Sequence, residues 1–289
     1  MTRWCRFVLD GRPHAGCWDG DTVRPAFVDG TPLANLSRII TGELGAEGVE
    51  LGAGVGVESL ELLEPLGSYP RNLFCVGKNY RDHAAEFSAS GYDVSSAGRG
   101  DVEPTHPVIF TKPASSVIGP GDLVDRHAAL TSELDYEAEL AVVIGRGGRR
   151  VAPVEAMDHV FGYTILNDVT ARDLQRQHRQ WFLGKGLDGS CPVGPSVVTA
   201  DELDLTSALI ECRVNGELRQ KASVADLIFD VPTLIATISA GITLLAGDVI
   251  ATGSPAGVGI GFSPPRFLQT GDEISITIEP IGTITNKVG

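Results

Sequence analysis

Short hydrophobic runs bounded by turn residues recur along the chain and predict a protein built mainly of strands. In the first part, residues 6–9 and 23–28 predict strands, with turns at 10–11, 19–21 and 29–30. Later runs predict strands at 73–77, 108–111, 136–144, 160–166 and 274–278. The sheet content should therefore extend over most of the molecule.

One helix is predicted, over residues 231–245, with Pro232 in its first turn and Gly247 beyond its end. Since few other helical periods occur, we expect an α+β fold with a β core and attached helices. The pattern of hydrophobic and polar positions changes near residue 70. This predicts a small β-rich N-terminal domain over residues 1–68 and a larger domain over residues 69–289, joined by a linker at 66–70.

Glycines cluster at residues 52–56 and resemble a dinucleotide-binding loop only superficially. Such a loop needs a hydrophobic strand before it and a helix after it. Residues 59–65 instead predict a short strand that ends at Pro65. The pattern therefore favours a surface connection over a nucleotide site.

Composition narrows the partners and the compartment. The 289 residues carry a net charge of −14, which argues against nucleic acid or an anionic membrane as the main partner. The five cysteines are odd in number and form no CxxC pair, as expected for reduced thiols in the cytoplasm. The longest apolar stretch, 234–246, is too short to span a bilayer. We expect a cytoplasmic, soluble protein.

Acidic side chains alternate along the predicted strand at 134–144. Asp135, Glu137 and Glu139 should share one face, because side chains two apart in a strand point the same way. Their burial without a counter-charge would cost several kcal/mol per ion. A divalent cation removes this cost, and carboxylates select Mg²⁺, Mn²⁺ or Ca²⁺ over zinc. The alternative is an edge strand whose acidic face is solvated.

A further carboxylate, Asp168, follows the apolar run at 160–166. It could instead cap a helix over residues 170–175. Together with Glu137 and Glu139 it would supply three oxygen ligands and leave positions open for water or substrate. The pattern therefore predicts a site for Mg²⁺ or Mn²⁺, with Ca²⁺ as a possible substitute.

Candidate acid–base groups lie between the strand at 73–77 and a Ser-, Gly- and Asp-rich segment at 87–106 that is either a solvent-facing loop or an active-site lid. His83 and Glu86 are three residues apart, so in a helix they share a face and the carboxylate can orient the imidazole as a general base. A surface ion pair is the alternative. Lys185, between two glycines, could stabilise an oxyanion or bind a carboxylate, unless it is simply solvated.

Further residues are candidates for binding substrate. Arg172 and Gln175 follow Asp168 and could reach substrate oxygens, although a solvated helix surface explains them nearly as well. Thr252 and Gly253 open a Gly-rich loop whose amides could hold a carboxylate. This loop lacks the Gly-Lys-Ser/Thr ending of a phosphate loop. No serine stands in the GxSxG pattern, and the histidines show no zinc-type spacing.

Six segments in order resemble the fumarylacetoacetate hydrolase family: VGKNYRDHAAE at 76–86, FTKP at 110–113, LDYEAEL at 134–140, NDVTARDLQ at 167–175, GK at 184–185 and TGSPAGVG at 252–259. The resemblance covers about residues 72–289. It implies a mixed β-roll or β-sandwich catalytic domain, usually in a homodimer, and a metal bound by Glu137, Glu139 and Asp168. Asp135 matches a position beside the ligands, and Lys112 one near the metal, where we expect it to help bind substrate.

The same resemblance implies that the segment from Arg81 forms a lid and that His83 and Glu86 form its catalytic dyad. Our hypothesis from the sequence is hydrolysis of a carbon–carbon bond in an acylpyruvate or other 2,4-dioxo acid, as in aromatic catabolism. His83 would activate water, and a pyruvate enolate would form on the metal beside Lys185. Closure of residues 81–103 would exclude bulk water.

Other reactions fit the same residues. Oxaloacetate decarboxylation and the isomerisation or hydration of 2-hydroxy-dienoates would also place a small 2-oxo acid on the metal. A non-catalytic metal-binding protein and a calcium-stabilised structural domain are the alternatives outside enzymology. The presence of His83, Glu86 and Lys185 beside the acidic residues argues against the first. The second would require a tightly bound structural metal and no activity with Mg²⁺ or Mn²⁺.

Overall fold

The computed structural model describes residues 3–45, 48–92 and 103–289. Most of the strands belong to one large mixed sheet with the order β4-β3-β2-β1-β16-β14-β13-β19-β8-β9. Their bounds are β1 (Arg3–Leu9), β2 (Arg12–Asp19), β3 (Thr22–Val28), β4 (Thr31–Pro32), β8 (Leu73–Gly77), β9 (Val108–Lys112), β13 (Ala138–Ile144), β14 (Val160–Asn167), β16 (Cys191–Thr199) and β19 (Val249–Ala251). Four short strands pair with members of this sheet but lie outside that order: β5 (Glu50–Leu51), β6 (Val55–Gly56), β7 (Glu61–Leu63) and β10 (Val117–Ile118).

A second sheet has five strands in the order β11-β21-β20-β17-β18. These are β11 (Leu123–Val124), β17 (Leu209–Val214), β18 (Glu217–Ser223), β20 (Glu273–Ile278) and β21 (Gly282–Val288). A two-stranded ladder pairs β12 (Leu134–Asp135) with β15 (Thr170–Ala171). The described helices are short: α1 (Ser37–Ile40), α2 (Arg81–Ala89), α3 (Arg172–His178), α4 (Phe182–Lys185) and α5 (Val231–Ser239).

The main hydrophobic core fills the space between the two sheets. Val142 and Ile165 of the large sheet belong to the same buried cluster as Ile276 and Ile284 of the smaller one. Such packing of two sheet faces buries the apolar side of each. The predicted α+β fold with a β core is therefore confirmed. Among the described residues, no helix is long and apolar enough to cross a membrane.

The strand predictions from the hydrophobic pattern are confirmed with small shifts at the ends. The helix at 231–245 begins at Val231 as predicted, with Asp230 accepting a hydrogen bond from the Thr233 amide. It ends at Ser239, six residues early. Beyond it, Leu244 forms a β-bridge with Gly148, and the two exchange backbone hydrogen bonds of 2.8 and 3.0 Å. Pairing with a neighbouring segment overrides the local helical pattern.

The acidic segment is not one strand, which corrects part of the sequence interpretation. β12 stops at Asp135 and β13 starts at Ala138, so Tyr136 and Glu137 lie between two ladders. Asp135 consequently lies in a different ladder from Glu139, and it is not one of the three residues whose carboxylate oxygens lie within 4.8 Å of one another. Tyr136, Ala138 and Leu140 do pack together in the main core, as the alternation predicted.

The N-terminal segment continues the large sheet of the rest of the chain. β1 pairs antiparallel with β16, Trp4 lying opposite Val197. One buried cluster also contains Trp4, Ala15 and Ala26 together with Val193 and Leu166. Of residues 52–56, only Val55 and Gly56 form a strand, β6, which pairs with β3. The domain division at residue 68 stays a prediction, and the shared core suggests how to test it.

Replacing Trp4 with alanine removes a large side chain from this shared core. We expect the free energy of unfolding to fall by about 3–5 kcal/mol. We also expect a single cooperative transition in urea, measured by circular dichroism. Val154→Ala, at a side chain that is 93% exposed, is the control and should leave the transition in place. Two separate transitions, only one of them moved by Trp4→Ala, would contradict a shared core.

Candidate active site

Three carboxylates predicted to bind metal converge in the structure. Oxygens of Glu137, Glu139 and Asp168 lie within 4.8 Å of one another, and all three residues are buried. Glu139 is on β13 and Asp168 follows β14, and the antiparallel register of these strands brings the two positions together. Glu137 joins them because its carbonyl accepts the Asp168 amide at 2.8 Å and its amide donates to the Asn167 side chain at 3.0 Å.

Buried cations compensate two of these three carboxylates. The Lys185 Nζ lies 2.7 Å from both Glu137 Oε2 and Asp168 Oδ2. Arg172 Nη2 lies 2.7 Å from Glu137 Oε1, and Lys112 Nζ lies 2.9 Å from Asp168 Oδ1. Lys185 was predicted to meet an oxyanion or a substrate carboxylate. In the structure its ammonium meets the predicted metal ligands.

Glu139 is different, because no Lys, Arg or His within the described ranges forms an ion pair with it. One Glu139 oxygen accepts the Gly253 amide at 2.7 Å. Burial raises the pKa of Glu139 well above its usual range, and the charges of Asp168 and Glu137 add to this. Burial also acts on Glu137, but Lys185 and Arg172 outweigh it and lower the pKa of Glu137. The cluster therefore lacks positive charge on the Glu139 side.

These donors fit a divalent cation. Each carboxylate oxygen has two lone pairs, so contact with an ammonium or guanidinium leaves one for a metal. Three hard oxygen donors suit Mg²⁺, Mn²⁺ or Ca²⁺ better than zinc. The alternative role of Asp168 as a helix cap is not realised, because Ala171 occupies the cap position of α3. The triad could hold one metal ion.

Lys112 was predicted to bind substrate, and the structure places it behind the carboxylates. Its ammonium, which is fully buried, donates to the carbonyls of Val169 and Lys185 and to the Ser190 hydroxyl. With Asp168 as a fourth neighbour, the three N–H groups are all used within the protein. These contacts are typical of a residue that positions Asp168. Direct contact of Lys112 with substrate stays a prediction.

His83 and Glu86 form the predicted pair on α2. Their helical spacing brings His83 Nδ1 within 3.1 Å of Glu86 Oε2. Among the described residues, His83 Nε2 has no hydrogen-bond partner, so this nitrogen is free to face a ligand. The segment expected as a lid begins with this helix, whereas its residues 93–102 lie outside the described part of the chain.

A small cavity lies between His83 and the carboxylates Glu137 and Glu139. Its volume is about 20 Å³, which is room for about one water molecule. It is lined by Val76, Gly77, Lys78, His83, Phe87, Phe110, Glu137, Glu139, Arg172, Gln175, Trp181, Lys185 and Ser254. Arg172 and Gln175 thus line space in which a ligand could contact them, and their contacts with substrate stay predictions. The aromatic residues and Lys78 were missed, since no sequence pattern distinguishes them from core or surface positions.

The Gly-rich loop at 252–261 holds carboxylates of the protein itself. Gly253 donates to Glu139, as described above, and the Gly257 amide lies 3.0 Å from Glu86 Oε1. The Thr252 amide and hydroxyl both bond the Leu140 carbonyl at 2.9 Å. The amide nest predicted from the glycines exists, but its observed anions belong to the protein. Binding of substrate by Thr252 or Gly253 stays a prediction.

Asp135 connects this loop to the carboxylate cluster. It accepts the Gly259 amide at 2.6 Å and the Ile260 amide at 3.2 Å. Asp135 also accepts the Tyr136 amide at 2.9 Å and a hydrogen bond from Arg172 Nε at 2.9 Å, and Arg172 in turn contacts Glu137. Asp135 is thus linked to the predicted ligand Glu137 through Arg172. This agrees with the position beside the ligands that the family resemblance implied.

Comparison with known proteins identifies the family. The sequence profile described as "Fumarylacetoacetate (FAA) hydrolase C-terminal" matches residues 72–289, most of the chain. The fold and the buried acidic site agree with that match. The chain belongs to the fumarylacetoacetate hydrolase family.

Individual relatives catalyse several reactions. "Oxaloacetate tautomerase YisK" of Bacillus subtilis is 52% identical over 234 residues, which is 81% of this chain and 74% of the relative. A structure titled fumarylacetoacetate hydrolase (EaFAH), from Exiguobacterium antarcticum, has 44% identity and a TM-score of 0.85 over 100% of this chain and 99% of the other. A 2-hydroxyhepta-2,4-diene-1,7-dioate isomerase from Mycobacterium marinum has 34% identity and a TM-score of 0.76, with coverage of 100% and 98%.

Glu139→Gln tests whether the triad binds metal. The change keeps the side-chain size but removes the carboxylate that lacks a cation. We expect Mn²⁺ affinity, measured by isothermal titration calorimetry, to fall by more than the roughly 10–100-fold typical of losing an outer-shell partner. Metal should no longer raise the melting temperature. Glu58→Gln, at an exposed carboxylate, is the control. Wild-type Mn²⁺ affinity in Glu139→Gln would remove Glu139 from the ligand set.

Lys112→Met separates a positioning role from a substrate-binding role. Loss of the ammonium leaves Asp168 with one buried cation fewer, so the free energy of unfolding in EDTA should fall by about 3–5 kcal/mol. Chemical denaturation measures this. Lys221→Met removes an exposed lysine from a surface ion pair with Glu211 and should have little effect. Unchanged stability together with a raised KM would instead favour direct contact of Lys112 with substrate.

Proposed function

We propose that this protein is a metal-assisted acid–base enzyme that interconverts the keto and enol forms of a small 2-oxo dicarboxylic acid such as oxaloacetate. The observation that carries the proposal is that His83, which Glu86 orients, lines one small cavity together with Glu137 and Glu139, two of the three clustered carboxylates. The 52% identity to an oxaloacetate tautomerase supports the choice of reaction.

Tautomerisation moves one proton from carbon 3 of the substrate and places one on the oxygen at carbon 2, or the reverse. His83 Nε2 is the group suited to move the proton at carbon 3, because Glu86 engages the other ring nitrogen and orients the imidazole. Lys185 adds positive charge beside Glu137 and Asp168, where charge on the 2-oxo oxygen would develop.

A divalent cation at Glu137, Glu139 and Asp168 would supply a Lewis acid for the 2-oxo group. The oxygen-only donor set leads us to propose Mg²⁺ or Mn²⁺, with Ca²⁺ as a substitute. Phe87 and Trp181, whose rings pack edge to face, form an apolar part of the cavity wall. A homodimer and a cytoplasmic location stay predictions.

Hydrolysis of a carbon–carbon bond in an acylpyruvate is the second candidate. It is favoured by a cavity large enough for one water beside His83 and by the likeness to a fumarylacetoacetate hydrolase structure. In that reaction His83 takes a proton from water, which adds to the distal carbonyl. The carbon–carbon bond then breaks, and its electron pair gives a pyruvate enolate that takes up a proton.

Product analysis by NMR distinguishes the candidates. The wild-type protein with Mn²⁺ should accelerate keto–enol exchange of oxaloacetate above the rate in buffer. It should act more slowly on acetylpyruvate and on a 2-hydroxy-dienedioate. Acetate and pyruvate formed from acetylpyruvate with a higher kcat/KM would overturn the tautomerase in favour of the hydrolase. Pyruvate and CO₂ as the main products of oxaloacetate would indicate a decarboxylase.

His83→Ala tests the dyad. General acid–base groups contribute about 10²–10⁴-fold, so kcat for the preferred substrate should fall by that factor. Mn²⁺ affinity should not change, because His83 contacts no predicted metal ligand through an observed hydrogen bond. His178→Ala, at an exposed histidine at the end of α3, is the control. Wild-type kcat in His83→Ala would remove this residue from the mechanism.

A further inference from the structure

Glu86 is held by two separate contacts when α2 is docked. One carboxylate oxygen lies 3.1 Å from His83 Nδ1, and the Gly257 amide lies 3.0 and 3.3 Å from the two oxygens. The carboxylate therefore bridges the helix and the Gly-rich loop. Its position fixes the ring of His83 and depends on the loop.

Residues 257–261 form the surface on which the helix rests, and we call them the lid seat. Phe87 of α2 packs against Val258 and Ile260 in a small cluster of its own, with Trp181 beside it. The turn of this segment is anchored from below, because Gly259 and Ile260 donate to Asp135. The lid seat thus offers α2 an apolar surface, formed by Val258 and Ile260, and the Gly257 amide, which donates to Glu86.

Gly261 leaves the space that the Glu86 carboxylate occupies. A β-carbon at position 261 would lie 1.7 Å from Glu86 Oε1 and 2.3 Å from Glu86 Cδ. Gly261 is not among the glycines with positive φ, so its backbone conformation is open to any residue. Space for the carboxylate, rather than chain geometry, is what requires glycine at this position.

The three atoms nearest such a methyl group all belong to the flexible side chain of Glu86. The Gly-rich loop and the three clustered carboxylates can therefore keep their positions while Glu86 moves and α2 loses one of its contacts with the lid seat. Displacement of this carboxylate separates it from Gly257 and from His83 Nδ1, and the imidazole loses its orienting partner. The expected consequence of a methyl group at position 261 is therefore confined to the His83–Glu86 dyad.

We propose that Gly261 is a positioning residue, whose missing side chain creates the seat for Glu86 and so assembles the His83–Glu86 dyad only when α2 is docked. This inference rests on the proposed function insofar as the dyad performs proton transfer. The seat itself can be tested without any substrate.

The experiment is a double-mutant cycle of Gly261→Ala and Glu86→Ala, each alone and both together. Two quantities are measured: kcat/KM with the substrate that the wild-type protein prefers, and hydrogen exchange of the amides of residues 81–89. Mn²⁺ affinity is followed in all four proteins. Gly241→Ala is the matched control, because a β-carbon there meets nothing within 4 Å and its φ is ordinary.

We expect Gly261→Ala to lower kcat/KM on the order of 10-fold to 100-fold, a part of the range for general acid–base catalysis. Exchange of the α2 amides should become faster, and Mn²⁺ affinity should stay constant. In the Glu86→Ala background the same change should have less than about a 2-fold effect, since the methyl group then meets no carboxylate. Gly241→Ala should match the wild type.

Equal effects of Gly261→Ala with and without Glu86 would overturn the proposal, because position 261 would then act through the backbone. Wild-type kcat/KM and wild-type exchange in Gly261→Ala would overturn it as well. If the wild-type protein turned over none of the tested 2-oxo acids, the proposed function would fail. The exchange measurements would still decide whether Gly261 acts through Glu86.

Discussion

The burial of four carboxylates in one region is the constraint on which the rest of the site depends. Glu137, Glu139, Asp168 and Asp135 are all at most 5% exposed. Removal of each charge from water costs several kcal/mol unless a partner compensates it. Lys112, Arg172 and Lys185 compensate three of them, and they are themselves buried for this reason. Glu139 is left with a backbone amide, which makes it the point where a dication would be most strongly favoured.

The backbone of the Gly-rich loop also supports this arrangement. Its amides contact Glu139, Glu86 and Asp135, so one segment touches a predicted metal ligand, the predicted dyad and the carboxylate that holds Arg172. A donor on the main chain has a fixed position and no side-chain entropy to lose. The loop therefore sets the distances between groups that lie far apart in sequence. For the same reason, the effect proposed for Gly261 acts on Glu86 and not on the three clustered carboxylates.

Much of this site could be predicted from the sequence, because the chemistry of its residues is specific. Buried surroundings rarely contain three carboxylates such as Glu137, Glu139 and Asp168, or a helical pair such as His83 and Glu86. The structure brings the three carboxylates together and pairs the two residues of the helix. The six motifs, in their order along the chain, also indicated the family. The break between β12 and β13 could not be predicted, since alternation continues through it in the sequence. The expected alignment of Asp135 with the two glutamates was therefore wrong, whereas its place beside the predicted ligands agrees with the family resemblance.

Other features depend on contacts between segments that the local pattern does not contain. The early end of α5 follows from the pairing of Leu244 with Gly148, nearly a hundred residues away in sequence. The role of Lys112 depends on carbonyls of residues 169 and 185. Phe87 and Trp181 look like ordinary apolar positions in the sequence, and only the structure shows that both line the cavity. Such information resides in the tertiary arrangement.

The volume of the cavity beside His83 has a consequence for ligand entry. Space for about one water molecule does not admit a molecule of several heavy atoms, so side chains that line the cavity have to move before such a ligand can contact Glu137 or Glu139. Binding then includes the free energy of this rearrangement, and the observed affinity is weaker than the contacts alone would give. A substitution that moves these side chains beforehand would strengthen binding without adding a contact.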